Sequence, residues 1–282
     1  MILSVWGSER RMEEVRRLAR HSHTCVTRED LQTLDLSMLD ALILPLHGVQ
    51  GRRGEYMDRE HIALPDGFWA CLREDCLIIS GMPSPFLESL PQPKHYYMRD
   101  EAYVRRNAQL TAQGVLFYVL DQLDRSISLI SADIIGKGTC GEAIGRMLAQ
   151  NGVRIRYVRH AQTMTPGECS FEEWVKGACG DFIIQTAPAA LLREEHLRAW
   201  AQQTKVIDMI IYGNDAGSEA SIVTEYPQKI AERVIKEIDR TVTLLMKRYE
   251  IPYLKAGNIP ELFAWRSAGA NLYDYVKKVL NE

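Results

Sequence analysis

The residues with the clearest chemical pattern lie near the middle of the chain, where an apolar run opens into a glycine turn. The run 132–135 is followed by Gly136, Gly138 and Gly141 in the spacing Gly-x-Gly-x-x-Gly, and helical character then continues to Gln150. Strand, glycine turn and helix in this order are the context in which the motif binds a dinucleotide. The spacing therefore predicts a coenzyme site in this part of the chain.

Each glycine of such a turn has its own role. Gly136 makes the sharp turn out of the strand, Gly138 lets the backbone approach a pyrophosphate, and Gly141 lets the helix pack on the sheet. Amide groups at the start of the helix then face the anion. We assign the coenzyme phosphates to these glycines and to the residues between them, which are Lys137, Thr139 and Cys140.

The end of the following strand indicates which coenzyme fits. An NAD enzyme usually has Asp or Glu there, which accepts a hydrogen bond from the ribose 2'-hydroxyl. This chain reads Tyr157, Val158, Arg159, His160 instead. A guanidinium fork suits a 2'-phosphate, so we predict NADP rather than NAD, held by Arg159 and His160 with Arg156 as a further candidate. Solvated basic residues that close a strand are the alternative interpretation.

Two later strands lead to the same predicted crevice. The strand 181–185 ends in the run Thr186-Ala187-Pro188, and the strand 206–211 has Asp208 near its start. Parallel strands deliver such residues to a ligand at their carboxyl ends. We expect the run to pass beside the ribose and nicotinamide, with Asp208 nearby, although an ordinary strand exit stopped by a proline would look the same.

The composition bounds the class of protein. With 282 residues, 46% hydrophobic residues and a formal net charge of -3, the chain can form two ordinary cores and is unlike a nucleic-acid-binding protein. No basic leader precedes the first apolar residues, and no apolar stretch approaches the roughly 20 residues that span a bilayer. We expect a cytoplasmic protein without a membrane segment. The cysteines lack metal-ligand spacing, so we expect free thiols and no metal site.

Alternating strands and helices predict an α/β fold with two α/β domains, the second a Rossmann-type doubly wound parallel sheet. We place the first domain at 1–122 and the second at 123–261, and expect the C-terminal helix to pack back on the first. The expected strands are 2–6, 41–45, 76–80, 96–98, 132–135, 155–158, 181–185 and 206–211. The expected helices are 8–21, capped by Ser8, then 99–123, 139–150, 171–178, 192–202, 224–249 and 262–280.

Five further segments, taken together with the glycine turn and the basic strand end, match the sequence pattern of a known family. They are 41–48, 79–82, 107–114, 259–260 and 264–269. Together they resemble the A subunit of dipicolinate synthase, the enzyme of spore-forming bacteria that oxidises a dihydrodipicolinate precursor to pyridine-2,6-dicarboxylate. The chain departs from that family at Leu110 for proline, Gln113 for glutamate, Glu261 for glycine and Arg266 for lysine.

The resemblance implies an NADP-linked oxidoreductase that forms dipicolinate from a small dicarboxylate, as a homo-oligomer and with a second flavoprotein-like subunit. It implies His47 and Thr111 as catalytic residues, His47 being the leading candidate for proton transfer. The implied substrate-binding residues are Gly48, Gly81, Asn107, Gln113 and Arg266. Arg52 and Arg53 are additional candidate cations, with an exposed charged loop as the equal alternative.

Functions from two classes stay open at this point. The first is the oxidoreductase, and the second is a nucleotide-binding sensor or non-catalytic partner subunit that keeps the fold. Gln113 keeps the second open because it stands where the family has a carboxylate. The run 209–212 lacks the arginine that a 2-hydroxyacid dehydrogenase would place after its cofactor strands, which argues against that activity.

Overall fold

Two parallel sheets form two compact units in this computed structural model. The structure describes residues 1–28, 30–57, 60–65, 67–160, 164–187, 191, 196, 204–208, 253–255 and 259–281. Unit 1 comprises Met1–Leu110 with Pro260–Glu282, and unit 2 comprises Thr111–Ile259. The division falls after Leu110, within a long helix, whereas the sequence analysis placed it at 122.

A five-stranded parallel sheet forms the centre of unit 1. The strands of the unit are β1 (Ile2–Val5), β2 (Thr24–Val26), β3 (Ala41–Ile43), β4 (Tyr56–Met57), β5 (Glu60–His61), β6 (Leu77–Ser80) and β7 (Lys94–Tyr96). The sheet has the order β2-β1-β3-β6-β7, and β4 and β5 form a separate antiparallel pair. The central strands β1, β3 and β6 are short, largely apolar runs because both faces of the sheet are covered there. The edge strands β2 and β7 are more polar and only partly buried.

The described helices are α1 (Arg10–Ala19), α2 (Phe68–Cys71), α3 (Pro85–Ser89), α4 (Glu101–Asp121), α5 (Thr139–Gln150), α6 (Phe171–Trp174), α7 (Ile259–Phe263) and α8 (Trp265–Val279). In unit 1, α1 and α8 bury their apolar sides on one face of the sheet, against Leu3, Val5 and Ile43. They cross closely at Gly269, where an added Cβ would lie 2.5 Å from the Cβ of Glu14. The opposite face packs on α2 and α3.

A six-stranded parallel sheet forms the centre of unit 2. Its strands are β8 (Ser131–Ile135), β9 (Arg154–Arg159), β10 (Glu168–Ser170), β11 (Phe182–Gln185), β12 (Lys205–Asp208) and β13 (Tyr253–Lys255). The order is β10-β9-β8-β11-β12-β13, which is the doubly wound Rossmann order with its reversal at β8. The predicted fold class is confirmed.

The two faces of this sheet have separate cores. On one face, Ala132, Ile134 and Ile184 pack against α5 and against residues of α4. On the other face, Ile183 and Val206 pack around Trp174 of α6. Helix α6 begins with a capping box between Ser170 and Glu173. Successive side chains of each strand thus alternate between two apolar layers, as a doubly covered sheet requires.

Several local predictions were wrong. Ser8 does not cap α1, because Glu9 occupies the N-cap position without a side-chain bond. The strand predicted at 96–98 ends at Tyr96, and a 3-10 helix follows at Tyr97–Arg99. Helix α6 ends at Trp174 instead of 178, since the chain then turns so that the amide of Gly180 reaches Asp133 at 2.6 Å. The C-terminal helix is two helices separated at residue 264.

Some predictions concern residues that the structure does not describe. Pro188, residues 209–211 of a predicted strand, the helix predicted over 224–249 and nearly all of the helix over 192–202 lie outside the described residues. Among the helices that the structure describes, none combines the length and apolar character needed to cross a bilayer.

Candidate functional site

The outer glycines of the turn after β8 are required by contacts inside the protein. Gly136 has a φ of 98°, and a Cβ there would lie 2.9 Å from Oγ1 of Thr186 and 3.0 Å from the amide nitrogen of Ala187. A Cβ on Gly141 would lie 2.4 Å from the carbonyl oxygen of Gly136. The tight turn and the close approach of α5 to the sheet therefore exclude a side chain at both positions.

The middle glycine is different, because the protein itself leaves room beside it. Apart from its immediate neighbours along the chain, no atom of the described residues lies within 4 Å of a Cβ placed on Gly138. Gly138 is the N-cap of α5 and makes no side-chain capping bond, so the amides of the first helical turn lack a side-chain acceptor from their N-cap residue. A dinucleotide fits this arrangement, since its pyrophosphate must approach the backbone where a Cβ would stand.

A pocket of about 210 Å³ opens beside the turn. This is below the range of about 300 to 1,000 Å³ for whole ligands, so it suits one portion of a dinucleotide. Its lining residues are Ile135, Gly136, Lys137, Val158, Arg159, His160, Phe171, Ala187 and Leu191. The predicted coenzyme residues that the structure brings together here are Gly136, Lys137, Arg159, His160 and Ala187.

A carboxylate holds the two cations of the pocket wall. Glu168 accepts hydrogen bonds from Nζ of Lys137 at 2.6 Å, from Nη1 of Arg159 at 2.9 Å and from the amide of Thr165 at 3.1 Å. The Glu168 side chain is 1% exposed, while those of Lys137 and Arg159 are 30% and 36% exposed. Hydrogen bonds from Lys137 and Thr165 lower the pKa of Glu168 to about 2, so it is ionised at neutral pH.

Sequence reasoning missed Glu168. The motif predicts an acidic residue only at the end of β9. Glu168 instead begins β10, where it pairs in register with Tyr157. The only sequence signal was the short run 168–170 before a Ser-capped helix, which is too brief to predict a strand by periodicity. Phe171, which lines the same pocket, was predicted only as the start of a helix.

Arg156 does not belong to the pocket, and its candidacy for a 2'-phosphate was wrong. Its Nε and Nη2 atoms donate to the carboxylate of Asp133 at 2.8 and 2.7 Å, and Nη2 also donates to the carbonyl oxygen of Ala178 at 2.7 Å. Asp133 additionally accepts from Nε1 of Trp174 at 2.7 Å and from the amide of Gly180 at 2.6 Å. The guanidinium of Arg156, whose side chain is 38% exposed, is thus bound to the buried carboxylate of Asp133.

His160 and Thr186 border the pocket in different ways. His160 is exposed, stacks on Phe171 with ring centroids 5.2 Å apart, and lies 3.5 Å from Glu172. The hydroxyl of Thr186 donates to the carbonyl oxygen of Ile135 at 2.9 Å, so it joins the ends of β8 and β11. Asp208 ends β12 beside Gln185; its side chain lies outside the described residues.

Cys140 and Thr111 lie together at the start of α5. Burial raises the pKa of the Cys140 thiol to about 11, and a hydrogen bond from the Thr111 side chain lowers it only in part. Cys140 is therefore a neutral thiol, unlike the reactive cysteines found at some helix N-termini. Thr111 is buried in unit 2, and Thr139 is exposed at the first position of α5.

In unit 1, the loops after β3 and β6 interlock through two glycines. Gly48 has a φ of 57°, and a Cβ there would lie 2.5 Å from Oγ of Ser80. A Cβ on Gly81 would lie 2.3 Å from the carbonyl oxygen of Leu46. His47 is half-buried between these contacts. Packing within unit 1 accounts for both glycines, and the substrate roles expected for Gly48 and Gly81 stay predictions.

The remaining predicted substrate residues lie on helices and on one loop. Asn107 is half-buried and Gln113 exposed on α4. Arg266 is exposed in the first turn of α8, with its guanidinium 5.1 Å from the centroid of the Trp265 ring. Arg52 and Arg53 are exposed in a loop whose amides bind the carboxylate of Glu55 and lower its pKa. That loop matches the alternative interpretation of a charged surface loop.

Solved structures with the same architecture span the whole chain. The A subunit of dipicolinate synthase from Bacillus halodurans is 18% identical, with a TM-score of 0.72 over 100% of this chain and 97% of that chain. The corresponding chain of the Bacillus subtilis enzyme is 17% identical, with a TM-score of 0.73 over 100% and 96%. The chain shares their fold. Salmonella D-lactate dehydrogenase is more distant, with 12% identity and a TM-score of 0.58 over 99% and 97%.

The resemblance of the sequence to the A subunit of dipicolinate synthase is thus confirmed at the level of the fold. No protein-family model matches the chain, and no curated protein matches it in sequence. Function has to be argued from the site itself, since one fold carries many chemistries.

Proposed function

We propose that the protein is an NADP-dependent oxidoreductase that acts on a small cyclic dicarboxylate, in the manner of dipicolinate synthase. The observation that carries the proposal is the open space at Gly138. Gly136 and Gly141 are glycines because protein atoms would collide with a side chain, whereas no described atom makes that demand at Gly138. A phosphate group resting on the backbone there provides the reason.

Different residues of the site would bind different parts of the coenzyme. The amides after Gly138 would bind the pyrophosphate, and the wall of Val158, His160 and Phe171 would cover an adenosine portion. Arg159 supports NADP over NAD, because part of its guanidinium faces the pocket and can donate to a 2'-phosphate. When bound, the coenzyme supplies the hydride acceptor or donor of the reaction.

The substrate part of the proposal rests on the shared fold and on the resemblance of the sequence. Oxidation of a dihydropyridine removes a hydride and a proton and gains aromatic stabilisation, so it needs a positioned ring, cations for the carboxylates and one proton acceptor. We assign proton transfer to His47 and a further catalytic role to Thr111. We assign carboxylate binding to Arg266, Asn107 and Gln113, as predicted from the sequence. A homo-oligomeric state belongs to the same proposal, as does a second, flavoprotein-like subunit.

Gly138→Ala tests the coenzyme site. We expect the variant without ligand to fold and to melt a few degrees below the wild type, because alanine is a poorer N-cap than glycine while the added methyl group causes no collision. The stabilisation by NADPH in a thermal shift assay should be lost, since the methyl group blocks the pyrophosphate.

Gly177→Ala is the matched control, because its Cβ would have its nearest contact at an ordinary 3.6 Å, from the carbonyl oxygen of Glu173. This variant should keep both its melting temperature and the shift by NADPH. Full stabilisation of Gly138→Ala by NADPH would overturn the proposed site.

Turnover separates the enzyme from a nucleotide sensor. Reduction of NADP+ is followed at the nicotinamide absorbance band with dihydrodipicolinate as substrate, and His47→Gln should abolish it while the thermal shift by NADPH persists. A thermal shift without turnover, with or without a companion subunit, would favour the sensor that Gln113 keeps open.

A further inference from the structure

The pocket wall holds one more charged group than coenzyme binding requires. Lys137 and Arg159 present their partly exposed side chains to the pocket, and Glu168 lies behind them with only 1% of its side chain exposed. Each cation donates to a different oxygen of this carboxylate, at 2.6 and 2.9 Å. A ligand therefore meets the cations first and the carboxylate only through them.

We propose that Glu168 sets how strongly the site discriminates between nucleotides with and without a 2'-phosphate. The inference rests on the proposed coenzyme site and assigns a specificity role within it to a residue from the neighbouring strand. Glu168 fixes the two cations at the wall and cancels one of their two positive charges. A 2'-phosphate then finds a wall with a net charge of +1, where Lys137 and Arg159 alone would give +2.

Glu168 should affect a bound phosphate more strongly than the exposed acidic group nearby. Glu172 lies 3.5 Å from His160, but its side chain is 66% exposed, so water and salt screen its charge. Glu168 is shielded from water and bonded directly to both cations of the wall. Like charges that face each other in such a place are costly, and a 2'-phosphate carries about -1.5 to -2 at neutral pH.

Glu168 also orients the cations, which would favour phosphate binding, so the two effects oppose each other. Glu168→Gln separates them. Glutamine has nearly the same shape and keeps one acceptor oxygen, but it removes the negative charge. If neutralisation dominates, the variant binds a 2'-phosphate more tightly; if orientation dominates, the variant binds it more weakly.

The experiment measures dissociation constants of adenosine 2',5'-bisphosphate and 5'-AMP by calorimetry, and those of NADP+ and NAD+ in parallel. We expect Glu168→Gln to raise the ratio of the 5'-AMP constant to the bisphosphate constant by about tenfold. The constants for 5'-AMP and NAD+ should change less, because these nucleotides lack the 2'-phosphate. Glu168→Asp, which keeps the charge, and Glu172→Gln, which removes an exposed one, are the matched controls and should leave the ratio within about twofold.

The outcomes are distinct. An equal change for both fragments, or a fall in the ratio, overturns the role of Glu168 and leaves the coenzyme site intact. Failure of the wild type to bind any of the four nucleotides overturns the proposed function, and this inference with it. Should Glu168→Gln not fold, Lys137→Gln gives the converse test, since it leaves the wall with no net charge and should lower the ratio by about tenfold.

Discussion

The sheet of unit 2 contains two buried carboxylates, each bound to an arginine of β9, and they differ in what surrounds them. Asp133 is 2% exposed and accepts from Arg156, the Trp174 indole and the amide of Gly180. The Glu168 side chain is 1% exposed and accepts from Lys137 and Arg159, which both line the pocket. The two arginines are three positions apart on one strand, so they project from opposite faces.

The two ion pairs differ in the other partners of the carboxylate. Around Asp133, the further donors belong to α6 and to the segment before β11. Asp133 therefore links β8 to both of these segments. Around Glu168, the donors are the amide of Thr165 and two partly exposed cations that line the pocket. We therefore expect changes at Asp133 to alter stability and changes at Glu168 to alter ligand preference.

The largest expected effect is on stability, at Asp133. Asp133→Asn keeps one acceptor oxygen but leaves buried donors without a partner and removes the charge that Arg156 faces. We expect the free energy of unfolding, measured by urea denaturation, to fall by about 3 kcal/mol. The exposed Asp121→Asn is the control and should stay within about 0.5 kcal/mol of the wild type. A similarly small change for Asp133→Asn would contradict the structural role.

The two arginines provide the direct contrast. Arg156→Met should lower the free energy of unfolding by about 2 kcal/mol, because Asp133 loses its charged partner, and should leave NADP+ affinity unchanged. Arg159→Met should change stability by less than about 1 kcal/mol and weaken NADP+ binding about tenfold. Urea denaturation and calorimetry measure the two quantities on the same samples. Reversed effects would show that the two faces of β9 are wrongly assigned.

The smallest expected effect is the pH dependence of the Glu168 contribution. Its pKa is lowered from 4.5 to about 2 in the folded protein, so its contribution to stability is complete above about pH 4.5 and is lost as the pH falls through about 2. Glu168→Gln should therefore melt below the wild type at neutral pH, and the difference should close between those two values. If the difference in melting temperature stays constant with pH, the substitution does not act through the charge of Glu168.

Much of the glycine turn and its flanking elements could be predicted because their signals are local. A run of apolar residues, a glycine spacing and a helical period occur within 132–150, and each is fixed by backbone geometry over a few residues. Short edge elements carry no such period. β2 and β10 have three residues each and β13 another three, and all were missed. At 96–98 the sequence predicts too much strand. Aromatic residues favour strands, but β7 ends at Tyr96 and a 3-10 helix follows.

The sequence by itself determined the strand, turn and helix that present Gly138, since those depend on neighbours along the chain. Only the tertiary structure decided which cations and carboxylates meet. Arg156 and Arg159 look equivalent in the sequence, yet strand alternation sends one toward Asp133 and the other toward Glu168. Glu168 reaches the pocket wall through the parallel pairing of β10 with β9. Such pairings are set by packing between distant segments, and no local pattern encodes them.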